Sequence, residues 1–290
     1  MSVGQQFASL RAAKALTPEQ ASADIVSASK LLAFENDRSD IPLTKFTQIL
    51  LGMGYTLRQF ASYCDRLAIN KNTLCREIGN AYAVGDTQRL LKLYEMVNNN
   101  AATQDDVFLS RMTAAGYYYE LTGKKLVTAA DEARLADDLL KIVSWDESEV
   151  DALIATVPLL NSSRLFTVSR EVMRLAPSLR EWNYSLYVGT WTAVMRGLKL
   201  LIERRSTFAA ALLRQIDDTQ EMAEGMIQNR FKLRYLRLVM QLSKKPDELL
   251  RRQIRAEYNM ILPLAPVQLL NGLRDVSIKA AEFDPAAVGD

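Results

Sequence analysis

The chain contains no histidine and only two cysteines, Cys64 and Cys75. Ser-His and Cys-His nucleophilic machinery is therefore excluded, and a zinc site of the Cys/His kind would need four such ligands. No glycine-rich run has the form of a phosphate-binding loop, and no pair of carboxylates stands out for acid–base work. The sequence thus predicts no catalytic residue, no metal and no cofactor, and argues against an enzyme. The two thiols fit small reduced side chains better than a redox pair.

The residues left to do chemistry are cations and aromatics. Arg11, Lys14, Arg38 and Lys45 are placed to neutralise phosphates, although a solvated face explains Arg11 and Lys14 equally well. Ser27, Ala28, Ser29 and Lys30 open a short helix, where hydroxyl and ammonium groups could bond base edges and the Ala28 methyl could meet a thymine methyl. Further along, Tyr184, Tyr187, Trp191 and Met195 recur at i, i+3, i+7 and i+11, with Arg196 beside them. An apolar peptide could lie on that stripe, or it could be core between helices. Arg230, Arg234 and Arg237 share one helical face, flanked by Lys232, Lys244 and Lys245. They could hold the carboxylates of a peptide, or form a solvated basic face.

The elements that must position these groups are helices. Thr17 is a good N-cap, Pro18 suits a first helical turn and Glu19 complements the positive helix end, so a helix is expected over 18–24. Ile25 and Val26 supply a buried turn, and Ser27 caps a second helix over 28–36 with Leu31 and Phe34 facing a core. Flanking helices are expected at 3–15, at 43–53 (Phe46, Ile49 and Leu50 on one face) and from Thr56 to about residue 66. Two short capped helices joined by a turn make either an ordinary α-hairpin or a helix-turn-helix, whose second helix enters the major groove of DNA.

The wording of the stretch 16–43 favours the second. Its order LT-x-E-Q-x-S-x-x-I-V-S-x-S, then F-E, then S-D-I-x-L resembles the N-terminal domain of Rgg family transcriptional regulators, which belong to the Xre-type helix-turn-helix class. The resemblance implies an all-α chain: a five-helix DNA-binding domain followed by a long, right-handed, tetratricopeptide-like repeat domain. It further implies a homodimer, and a short signalling peptide held in the concave groove of the repeats. Segments around Trp145 and over 229–242 resemble the family more loosely. Ala28, Leu32 and Ala33 depart from the residues usual in the recognition helix, and Pro18 stands where many Xre-type domains place a DNA-contacting glutamine. Base readout would then rest on Ser29 and Lys30 and on DNA shape.

From about residue 70 the chain reads as helix after helix. Asn72, Asp86 and Thr128 are expected caps, Thr103 with Asp106 suggests another, and Gly123 is an expected stop. Breaks are expected near residue 144, at 161 and at Pro177, with one helix over 177–205 and another over 219–243. Domain limits follow as 1–66, a linker at 67–72 and a repeat domain over 73–284. Hydrophobic residues make up 49% of the 290, enough for two modest cores. No run approaches the roughly 18 uninterrupted apolar residues of a membrane span, and the N-terminus lacks signal-peptide order, which predicts a cytoplasmic protein without a membrane partner. Residues 1–66 carry seven Lys and Arg against six Asp and Glu, a balance of +1. That is low for a DNA-binding domain. The expectation is therefore a dimeric, sequence-specific regulator of transcription that binds double-stranded DNA. The alternative is a helical-repeat scaffold whose N-terminal module does not bind DNA.

Overall fold

The computed structural model describes residues 2–67, 71–99, 104–142, 145–219 and 222–287. All regular structure among them is helical, and it divides into two compact units, 1–79 and 80–290. The division falls inside one helix, Lys71–Ala83, rather than at the expected linker, part of which (68–70) lies outside the described residues. Among the described residues no helix is long and apolar enough to cross a membrane.

In the first unit α1 (Val3–Ala13) starts at Ser2, which bonds the Gln5 amide while Gln5 reaches back to Ser2. Thr17 and Gln20 make the same reciprocal cap at α2 (Pro18–Ser22). The turn that follows puts Ala23 and Asp24 at φ +44° and +62°, a strained pair for residues with a Cβ. Ser27 then caps α3 (Ala28–Glu35), its hydroxyl accepting from the Lys30 amide. After α4 (Leu43–Gly52), Gly54 at φ +82° turns the chain towards Thr56 and α5 (Leu57–Leu67). Phe7 meets the rings of Phe34, Phe46 and Phe60 at steep angles, and Leu31, Ile49 and Leu50 are fully buried around them. Gly4 allows α1 to lie directly on α3, since a Cβ there would fall 2.1 Å from the Phe34 carbonyl oxygen.

The second unit takes over within α6 (Lys71–Ala83) and continues through α7 (Thr87–Asn99) and α8 (Gln104–Thr122). Asp86 and Thr128 cap as expected, and Gly123 stops α8 at φ +71°. The Thr103 cap lies outside the described residues. α9 (Ala129–Lys141) precedes α10 (Glu147–Thr156), which Asp146 caps, and a 3-10 turn (Val157–Leu159) leads to α11 (Ser162–Trp182). Pro177 sits inside α11. The break comes instead at Asn183, whose side chain accepts from the Ser185 and Leu186 amides and so starts α12 (Tyr184–Glu203). A cap that satisfies two orphan amides outweighs the loss of one helical bond at proline. α13 (Phe208–Thr219), α14 (Ile227–Lys244), α15 (Glu248–Ile261) and α16 (Val267–Ala281) complete the unit. The helix expected over 219–243 begins only at Ile227.

α12 is the spine. It packs against α10, α11, α13, α14 and α16, and buries Tyr187, Trp191, Val194, Leu198 and Leu201. Gly116 lets α8 touch α10, because a Cβ would lie 2.1 Å from the Ala155 carbonyl oxygen.

Candidate nucleic-acid interface and ligand groove

The α2-turn-α3 pair of the first unit is a helix-turn-helix built on caps. Its exposed edge carries Ser27, Ser29 and Lys30, with Ala28 half-buried. Ser27 is engaged as the cap and lies 3.1 Å from the Ser29 hydroxyl, so Ser29 and Lys30 remain to meet a partner. Arg38, just beyond α3, and Lys45, in the first turn of α4, are exposed.

Two of the cations expected on phosphates are used otherwise. Arg11 donates from Nε and Nη2 to the two carboxylate oxygens of Glu35, at 2.6 and 2.7 Å, and from Nη1 to the Leu16 carbonyl oxygen at 2.7 Å. Only 15% of its side chain and 5% of that of Glu35 are exposed. A guanidinium holding three acceptors at this depth ties α1 to the end of α3 and is not available to DNA. The Lys14 ammonium donates to the Met53 carbonyl oxygen at 2.9 Å and lies 4.6 Å from the centroid of the Tyr55 ring, a cation–π contact that closes the far side of the domain. Exposed Glu19, Asp24, Asp37 and Asp40 oppose the remaining cations.

The second unit contains a groove of about 360 Å³. α12 contributes Thr192, Met195, Arg196 and Lys199; α14 contributes Gln228, Lys232 and Leu236. Glu120 and Ile154 come from α8 and α10, and Leu269, Gly272 and Leu273 from α16. Gln268 of α16 and Pro266, just before that helix, complete the described lining. Arg196 donates to Glu120 at 2.6 Å, and Lys199 pairs with Glu203 at 2.7 Å. Burial, with Arg196 and Lys199 adding like charge, holds the Lys232 ammonium below the ordinary lysine range. Burial, together with the charge of Glu120, pushes the hydroxyl of Tyr82 at the end of α6 up to about 12.

Of the residues expected to meet a peptide, Met195, Arg196 and the flanking Lys232 line the groove, and the others do not. Tyr187 and Trp191 are core, at 0% and 1% exposure, and Tyr187 accepts from the buried Ala223 amide at 2.8 Å. Tyr184 is exposed at the start of α12, away from the groove lining. Arg230 is held by the Met222 and Ala223 carbonyl oxygens, Arg234 by Glu257 and Arg237 by Asp217. The residues that sequence reasoning passed over are Glu120, Thr192, Lys199 and Gln228, while Lys232 entered only as a flank of the arginine face. Their signal was present: 192, 195, 196 and 199 on α12, and 228, 232 and 236 on α14, keep helical spacing. On α12 the two sets share Met195 and otherwise differ by one residue, which turns a helix by about 100°, and on α14 the groove set is two residues round from Arg230 and Arg234.

Among the described residues the chain is thus a capped helix-turn-helix unit followed by a larger helical unit that holds a groove. No protein-family profile and no curated protein matches the chain. Solved structures do. The SHP pheromone receptor Rgg2 of Streptococcus dysgalactiae is 17% identical, with 96% of this chain and 99% of that one aligned at a TM-score of 0.66. A single-residue mutant of PrgX is 11% identical over 98% of this chain and 97% of its own, at 0.62. A bacterial peptide pheromone–receptor complex, solved with its mechanism of gene regulation, is 14% identical over 97% and 99%, at 0.55. The chain therefore has the fold of these proteins over nearly its whole length.

Proposed function

We propose that this chain is a sequence-specific, DNA-binding regulator of transcription that works as a homodimer and takes a short peptide in the groove over α12. The observation that carries the reading is the extent of the shared fold. Alignment over 96% of the chain with a pheromone receptor covers the helix-turn-helix and the repeat unit together, not either alone. In this reading Ser29 and Lys30, with Ala28 beside them, meet base edges, while Arg38 and Lys45 hold phosphates. Peptide binding acts by favouring one arrangement of the two DNA-binding domains, which requires different affinity for the two states.

The test is fluorescence anisotropy of the full chain with DNA fragments flanking its own gene, at physiological salt and with excess random competitor. Binding that survives competitor supports the regulator. Binding erased by competitor, both without and with short peptides encoded nearby, favours the scaffold reading, to which the near-balanced charge of residues 1–66 also points.

A further inference from the structure

Charge in the groove is unbalanced in a particular way. Of its three lining cations, Arg196 is paired with Glu120 and Lys199 with Glu203. Lys232 has no carboxylate partner among the described residues, although it is largely removed from water and lies near two like charges. A partly desolvated ammonium in such company is costly until an anion joins it. Apart from Glu120 and the Thr192 hydroxyl the rest of the wall is apolar or amide, including Ile154, Met195, Leu236 and Leu273, with Gln228 and Gln268 able to bond a peptide backbone. The chemistry that fits is an apolar peptide segment bearing one carboxylate.

Glu120, the one carboxylate among the described lining residues, has a second connection. It receives the Arg196 guanidinium, and it lies one turn from Tyr117 on α8, whose ring meets Tyr82 of α6. Tyr82 stacks on Tyr117 with ring centroids 4.1 Å apart and planes 12° apart, in the last turn of α6. That helix is the one in which the chain passes from its first unit to its second.

We propose that the groove holds its ligand by a carboxylate seated between Lys232 and Arg196, at the expense of the Arg196–Glu120 pair, so that Glu120 passes occupancy on to Tyr82 and α6. The proposal rests on the reading of the groove as the ligand site. The geometry makes Glu120 a built-in competitor: it occupies Arg196 when no ligand does, and a ligand carboxylate must displace it. Glu120 is a positioning residue rather than a ligand contact.

The test is calorimetric titration of the full chain with three blocked tetrapeptides: acetyl-Ala-Leu-Ala-Leu with a free C-terminus, the same peptide as the C-terminal amide, and acetyl-Ala-Asp-Ala-Leu amide. The free acid or the Asp peptide is expected to bind about tenfold more tightly than the plain amide, and which of them does so identifies the source of the carboxylate. Lys232→Met, or Lys232→Gln if the first variant is less helical than the parent, is expected to erase that difference. Glu120→Gln is expected to tighten carboxylate binding several-fold and leave the amide unchanged, whereas a merely structural Glu120 would weaken both. Hydrogen exchange of the amides at 80–83 should rise with the carboxylate peptide and not with the amide, and this response should vanish in Tyr82→Phe. Equal binding of all three peptides overturns the carboxylate seat while leaving the groove a ligand site. No binding of any of them at about millimolar concentration overturns the groove reading as well. An unchanged α6 on binding of the acid overturns the relay.

Discussion

Replacing Arg11 separates two roles that a basic residue in a small DNA-binding domain can have. In the structure its guanidinium bonds both oxygens of Glu35 and the Leu16 carbonyl oxygen, and Glu35 is 5% exposed. Arg11→Met leaves that carboxylate buried without its partner, which costs about 3–5 kcal/mol. For a unit of this size each kcal/mol moves the melting temperature by about 4–8 °C, so a drop of about 12 °C or more is expected for the first unit in scanning calorimetry of the full chain. Arg11→Met with Glu35→Leu should recover most of it, because an apolar pair can replace a buried ion pair at little cost. The same variants then go into anisotropy titrations at several salt concentrations, at a temperature where all are folded. Lys30→Ala and Lys45→Ala should each shallow the salt slope by about 0.9, whereas the Arg11 variants leave it unchanged. A stable Arg11→Met protein with a shallower slope would refute the structural role and return Arg11 to the phosphates.

Gly116→Ala should destabilise the second unit by about 1–3 kcal/mol or more in urea unfolding, since the new methyl would meet the Ala155 carbonyl oxygen at 2.1 Å. Gly79→Ala, at the last residue of the first unit and with nothing within 4 Å, lacks such a clash and should instead stabilise its own unit by about 0.5–1 kcal/mol. Tyr187→Phe removes the hydroxyl that accepts from the buried Ala223 amide, with an expected loss of about 1–3 kcal/mol in the same assay. Burial opposes ionisation of Asp131, but bonds from Thr128 and the Arg111 guanidinium prevail and hold its carboxyl below the usual range. Its contribution to stability is complete above the ordinary carboxylate pKa and is lost as pH falls through the depressed one, so Asp131→Asn should flatten the melting temperature against pH below about pH 4.

What the sequence makes legible is whatever is decided within a turn or two of the chain. Thr17, Ser27 and Thr128 announce helices because a cap is a bond across three residues, and each starts its helix where expected. The break between α11 and α12 shows the limit of ranking such signals one at a time. Proline at 177 looks like the stronger stop, yet Asn183 ends the helix because its side chain serves the next one. Before α14 the chain is held by a contact that sequence spacing does not announce, Arg230 folding back on the carbonyl oxygens of Met222 and Ala223.

The groove was less legible because spacing marks the faces of a helix without saying which one meets the core. On α12 the aromatic stripe through Tyr187 and Trp191 has the regularity of a binding surface, but its size and apolarity are what a junction of several helices needs, and it is buried. One residue on, Thr192 and Arg196 keep the same period and carry the polar groups that the core could not take. Cations divide in the same way. Arg11, Lys14 and Arg230 are fixed by acceptors far away in sequence or outside its helical period, and the arginines of α14 find carboxylates on α13 and α15. Lys232 is the exception on its helix. It lies about 200° around from Arg230, faces the groove, and is left for a ligand to neutralise.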